Sequence, residues 1–280
     1  MCVCVAFGSS RSGAAAKLPS HFPIRALPGR LSFTGGLASM PRSSSAVPLA
    51  PTLCFLVHAN GLCKEAWAPF VEELAALLGL EATPARALQL SSRRDVCTVR
   101  LGECLQLVLV DLPGHGSAPP LALSEEATDW MQFARHLHEL VAECLSAMST
   151  TPAECCVIAH SLGGGVALLA QHTVQHRLFG RMLLFEPMYL FVEDRLRDFL
   201  GLHPLTGKMG HPLAQQILKR RARWADSADA SADLSNKGFY AGWDPRALNG
   251  YLEGGITGSG PVNLACTPAT EGTILATGAP

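Results

Sequence analysis

Cys155-Cys156-Val157-Ile158-Ala159-His160-Ser161-Leu162-Gly163-Gly164-Gly165 is the stretch on which the reading turns. A short apolar run, written as a buried strand, breaks at a serine and passes directly into a small-residue helix from Val166 to Gln171. A strand–turn–helix junction of this kind holds the serine oxygen out above the sheet edge. Gly163 fits because the helix must start tight against the strand, where a side chain would clash. Ala159 stands where the G-x-S-x-G form of the turn has its first glycine, and alanine is the next smallest residue.

Working outward, the same grammar recurs. Leu53-Cys54-Phe55-Leu56-Val57 is a continuous apolar run ended by His58-Ala59-Asn60-Gly61, and Trp67 to Leu78 follows with helical spacing. Leu105 to Val110 is a second strand, ended by Asp111-Leu112-Pro113-Gly114-His115-Gly116. Trp130, Phe133, Leu137, Leu140, Val141, Cys144 and Met148 recur at three- and four-residue steps, one face of a helix. Met182 to Phe185 is a fourth strand, ending at Glu186-Pro187. Strands alternating with amphipathic helices predict an α/β fold with a mostly parallel central sheet flanked by helices. Leu80 to Glu103 reads as a long insertion between helix and strand.

After Glu186 the spacing predicts helices at Arg195–Leu200, Leu213–Trp224 and Pro245–Glu253 with no strand between them, a helical cap laid over the serine. The expected organisation is therefore an extension over 1–48 and a domain over 49–280. Within that domain the core runs over 51–187, the cap over about 188–253 and an irregular tail over 254–280, with the final strands of such a sheet missing.

Composition excludes several classes. With 48% hydrophobic and 16% charged residues the chain can bury a sizeable core, and a formal charge of −1 gives no electrostatic case for nucleic acid. No apolar run reaches the roughly 18 residues of a transmembrane segment. Ten cysteines include Cys54, Cys155 and Cys156 inside strand runs, where cysteine acts as a small hydrophobe. Without C-x-x-C pairs or zinc-type His/Cys spacing, reduced thiols in an intracellular compartment and no metal site are expected. Residues 1–48 carry Arg11, Lys17, Arg25, Arg30 and Arg42, many serines and no acid, the first acidic residue being Glu65. That is transit-peptide composition, placing the protein in a plastid or mitochondrion. A disordered extension, or initiation at Met40, is the other reading, with a cytoplasmic protein as its consequence. A dinucleotide-binding fold is disfavoured, because His58-Ala59-Asn60-Gly61-Leu62-Cys63 lacks the glycines of G-x-G-x-x-G.

Three ordered strand-end loops, His58–Gly61, Asp111–Ser117 and Ala159–Gly164, resemble those of the α/β-hydrolase superfamily, and Trp243–Leu248 resembles a cap segment in some members. The resemblance covers about residues 51 to 190 and implies a serine esterase or lipase-like activity without organic cofactor. Ser161 would be the nucleophile. Backbone N–H groups of Leu162 and of Asn60 or Ala59 would form the oxyanion hole. A serine there disfavours epoxide opening and dehalogenation, which use an aspartate. The implied partner is a small acyl substrate, with the Leu, Phe and Trp content of the cap suggesting an apolar one.

The family's chain order is Ser, acid, His. Glu186 is the candidate acid by its place after the fourth strand, with capping a turn or pairing with an arginine as its structural alternative. After Ser161 the histidines are His172, His176, His203 and His211. None falls in a loop after a last strand, so either another group completes the site or the chain is an inactive or truncated member acting as a binding module. His58, His115 and His160 are expected to serve structure, and His136 and His138 to lie on a solvated helix face.

Overall fold

A computed structural model of the chain describes residues 2–6, 52–84, 93–121, 130–174, 176–188 and 212–277. Apolar runs give the strands β1 (Cys2–Ala6), β2 (Thr52–Val57), β3 (Ala82–Pro84), β4 (Val96–Leu101), β5 (Leu105–Val110), β6 (Cys155–His160) and β7 (Arg181–Phe185). They form one sheet in the order β1-β7-β6-β2-β5-β4-β3. The four inner strands β7, β6, β2 and β5 are parallel. The outer strands β1, β4 and β3 are antiparallel. β2 and β5 are buried along nearly their whole length, as strands covered on both faces must be.

Helix α1 (Ala68–Leu78) packs Val71 and Ala75 onto one face of the sheet against Cys54, Leu56, Leu107 and Leu109. On the other face lie α2 (Trp130–Met148) and α3 (Leu162–Thr173). Their contact with Phe55, Val57, Val108, Val157 and Leu184 makes the main core. The apolar stripe predicted for 130–148 is buried at Trp130, Phe133, Leu137, Leu140, Val141 and Cys144. Chain order reverses at β2, which has the later strand β5 on one side and β6 on the other. Ligand crevices of open α/β sheets form at such a switch point, beyond the carboxyl ends of the strands.

Four expectations need correction. Residues 80–103 are not a plain insertion: β3 and β4 form an antiparallel ladder there, missed because β4 is only half buried and so lacks a continuous apolar run. The start of the chain is not wholly irregular extension, since Val and Cys in Cys2–Ala6 pair with β7. The cap is not all helix. It holds α4 (Pro212–Leu218), α5 (Ser227–Ser235) and α6 (Pro245–Gly254), and also β8 (Arg223–Trp224), which joins β9 (Ile256–Thr257) and β10 (Val262–Leu264) of the expected tail in a three-stranded sheet. Two- and three-residue strands give no periodicity to read. The tail is not irregular either, because α7 (Pro268–Thr277) follows β10. The helix predicted at 195–200 lies outside the described residues.

The cap elements share their own core of Trp224, Ala230, Leu234, Tyr240, Tyr251, Val262 and Leu264 around Cys63. A methyl group on Gly250 would stand 2.2 Å from the Glu65 carbonyl oxygen, so α6 is seated directly on the turn after the first strand-end loop. Among the described residues, no helix is long and apolar enough to cross a membrane.

Candidate active site

The site is assembled from loops at the carboxyl ends of β2, β5, β6 and β7. Ser161 joins β6 to α3 with φ 52° and ψ −115°, a left-handed backbone on a residue with a side chain. Its N–H donates to the Phe185 carbonyl (2.9 Å), and its own carbonyl accepts from Met188 N–H (3.0 Å) and Gly165 N–H (3.2 Å). These bonds to the end of β7 and the first turn of α3 hold the strained turn in place. A methyl on Gly163 would meet the backbone oxygens of Val57 at 2.6 Å and His58 at 2.7 Å. Glycine is therefore required for α3 to start this close to β2.

The His58–Gly61 loop is pinned from below by two imidazoles. His58 Nε2 accepts the Leu112 N–H (3.1 Å) and its Nδ1–H donates to the Ala59 carbonyl (2.8 Å). His115 Nε2 accepts the Gly61 N–H (3.0 Å) and its Nδ1–H donates to the Pro113 carbonyl (3.1 Å). These partners suit a neutral His58 with its proton on Nδ1, while His115 Nε2 also stands 3.1 Å from Asn60 Oδ1. Burial pulls the His58 pKa down against the opposing charge of Asp111. Burial, then His58, pull that of His115 down to about 3. Both rings are thus structural members of the loop floor.

Beside them Asp111 is fully buried. Its Oδ1 accepts the Lys64 N–H (2.7 Å), and its Oδ2 accepts Lys64 Nζ (2.7 Å) and the Ser117 N–H (2.9 Å). The Lys64 ammonium also donates to Ser117 Oγ (2.8 Å) and pairs with Glu65 Oε1 (2.8 Å), which uses all three of its protons. Burial lowers the Lys64 pKa, but the Asp111 charge overrides it and the net shift is upward. Gly116, at φ 50°, lets the loop wrap the carboxylate, since a methyl there would lie 2.2 Å from Asp111 Oδ2.

Helix α7 closes this region from the cap side. The Asn60 side-chain amide donates to the Glu271 carbonyl (3.1 Å), and Trp130 Nε1–H donates to the Ile274 carbonyl (3.0 Å). The Glu271 carboxylate pairs with Arg220 (2.8 Å) and packs so close to Gly61 that a methyl there would be 2.6 Å from its Cδ. Burial pushes the Glu271 pKa up, with Arg220 opposing.

The structure thus brings Ser161 and Leu162 to the switch point on one side and Ala59 and Asn60 on the other, on adjacent strands β6 and β2. Glu186 is exposed at the end of β7 with φ 43°. Half-buried His160 feels its charge: burial lowers the His160 pKa and Glu186 works against that shift. His172 and His176 are exposed. His203 and His211 lie outside the described residues. His136 does not lie on a solvated face, because its side chain is mostly covered and stands 3.1 Å from Asp95. Among the described residues no cluster of His, Cys, Asp or Glu is arranged to hold a metal ion. Sequence reading missed Lys64 and Glu271. Lys64 had a signal, an ammonium shortly after a buried strand; Glu271 had none, since its contact with Gly61 spans most of the chain.

A parallel sheet reversing at its first inner strand, with a strained serine beyond the next, defines the α/β-hydrolase class. The chain belongs to the alpha/beta hydrolase family, whose sequence profile matches residues 54–269. Its fold resembles that of the peroxisomal alpha-beta-hydrolase Lpx1 from Saccharomyces cerevisiae, with a TM-score of 0.56 at 17% identity, over 82% of this chain and 57% of that one. An esterase of M. tuberculosis aligns over 79% of this chain and 60% of its own, at 14% identity and a TM-score of 0.47. The chain therefore spans less than two thirds of the length of either. No curated protein matches it in sequence.

Proposed function

We propose that the protein is a serine hydrolase that cleaves a carboxylic ester, thioester or amide through an acyl-enzyme on Ser161. The observation that carries this reading is the Ser161 backbone, φ 52° and ψ −115°. Such a conformation costs on the order of 1–3 kcal/mol and persists where the surroundings over-determine it. Here it lifts Oγ above the strand ends. Oγ attacks the acyl carbon, the leaving alcohol, thiol or amine departs with a proton, and water releases the acid.

The oxyanion is received by the N–H of Leu162, at the unsatisfied first turn of α3. The second donor in this reading is Asn60 rather than Ala59. The Ala59 carbonyl points into its own loop, accepting from His58 Nδ1–H and Leu62 N–H. The C=O and N–H of one trans peptide point in opposite directions, so the Asn60 N–H points out of the loop. Loss of one such donor removes about two to three orders of magnitude in rate. Glu186 is the acid of this reading. The cap, residues 188–253 over a core of 51–187, bounds the acyl pocket. Its Leu, Phe and Trp content supports an apolar acyl group.

A second reading, a catalytically silent binding module, is favoured by one observation: both ring nitrogens of His58 and of His115 are bonded to backbone. Turnover of chromogenic acyl esters of short, medium and long chain separates the two. The hydrolase reading expects hydrolysis that Ser161→Ala abolishes with the fold retained. Equal rates for wild type and Ser161→Ala, or none for either, support the silent module.

A further inference from the structure

On the face of the sheet partly covered by α1, two thiols stand opposite each other. β2 and β6 are adjacent and parallel, with Cys54 in register with Cys156. The same cross-strand row continues to Arg181 on β7. Cys54 lies fully under α1, whereas Cys156 is half-buried at the margin of that cluster. Both are free thiols. The Cys54 thiol opposite lowers the Cys156 pKa against its burial, with Arg181 helping. Cys156, ahead of burial, raises that of Cys54. Cys155 points to the opposite face, where burial raises its pKa, and makes no part of the row.

Neighbouring strands run about 4.8 Å apart. Disulfides span Cα separations of about 4.4–6.8 Å, so the backbones already stand at bonding distance. Side chains on one face run alongside each other, so closure must draw the Cβ atoms together to about 3.8 Å; such a bond is strained and readily reduced.

We propose that Cys54 and Cys156 form a peroxide-responsive thiol pair, with Cys156 as the attacking sulfur and Cys54 as the resolving one. The Cys156 thiolate attacks one oxygen of hydrogen peroxide. An S–O bond forms, the O–O bond breaks, and the departing hydroxide takes the proton released by the Cys156 thiol and leaves as water. The Cys54 sulfur then attacks the Cys156 sulfur, forming S–S and breaking S–O. The second hydroxide takes the Cys54 proton and leaves as water. Two thiols and one peroxide give one disulfide and two waters, and a dithiol reverses the change. The crosslink ties the strand that ends in the oxyanion loop to the strand that ends in Ser161. The proposal does not depend on catalysis at that serine.

The test uses the full chain with exposed Cys97 and Cys104 replaced by serine. Reduced protein is treated with hydrogen peroxide and quenched in acid. Free thiols are then alkylated in denaturant and the chain is digested without reductant for mass spectrometry. The expected result is a peptide pair joined through Cys54 and Cys156 that dithiothreitol releases. It persists in Cys155→Ser and is lost in Cys156→Ser. In Cys54→Ala, with an unchanged circular dichroism spectrum, Cys156 stops at a sulfenic acid that dimedone traps. A Cys155–Cys156 bond, oxidation of Cys156 that leaves Cys54 alkylatable, or both thiols alkylatable after treatment overturns the proposal.

Discussion

Lowering the pH should destabilise this protein from beneath the His58–Gly61 loop. His115 is fully buried and neutral, with a folded pKa of about 3 against an ordinary 6.5. The unfolded chain takes up this proton below about pH 6.5 and the folded chain does not, so stability falls with pH between those two values. Each unit is worth about 1.4 kcal/mol, so the loss from His115 at about pH 5 is about 2 kcal/mol relative to pH 8. His58, whose pKa burial also lowers, adds to the loss. Glu271 opposes it, because burial raises its carboxyl pKa and the folded state then binds the proton more tightly. The difference between two proteins isolates His115: urea unfolding of wild type and His115→Asn, measured from about pH 8 to pH 5. Asparagine does not titrate, so the variant should lose about 2 kcal/mol less over that range. Parallel pH dependences for the two would refute a buried, neutral His115.

Three further outcomes follow from the same geometry. Gly163→Ala forces a methyl against the Val57 and His58 carbonyl oxygens and should cost about 1–3 kcal/mol in urea unfolding, because backbone cannot step aside as a side chain can. Lys64→Met strands the buried Asp111 carboxylate and should cost about 3–5 kcal/mol, whereas Lys64→Met with Asp111→Leu should cost clearly less in the same assay. Trp130→Phe removes the bond to the Ile274 carbonyl and should lower stability by about 1 kcal/mol, read as a fall in thermal midpoint.

Features legible in the sequence were those written locally. The four inner strands are continuous apolar runs, the α2 stripe has a clean helical period, and the turn at Ser161 carries its own small residues. What was hidden depended on pairing across the chain. β4 is half buried on an outer position, so its residues Val96–Leu101 alternate weakly. β8, β9 and β10 are too short to show a period, and they exist because Trp224, Val262 and Leu264 bury together in the cap. In the site, His58 and His115 could be placed in loops from sequence, but not the backbone groups they bond. The Glu271–Gly61 contact and the Cys54–Cys156 register arise only after α7 docks and β2 and β6 align.

The central claim is that Ser161 is an activated nucleophile. Its most direct test is a fluorophosphonate probe applied to the folded chain, with the adduct mapped by mass spectrometry. The account predicts one phosphonyl group on Ser161, and no adduct on Ser161→Ala. A well-folded chain that leaves Ser161 unmodified, or takes the label on another residue, would contradict it.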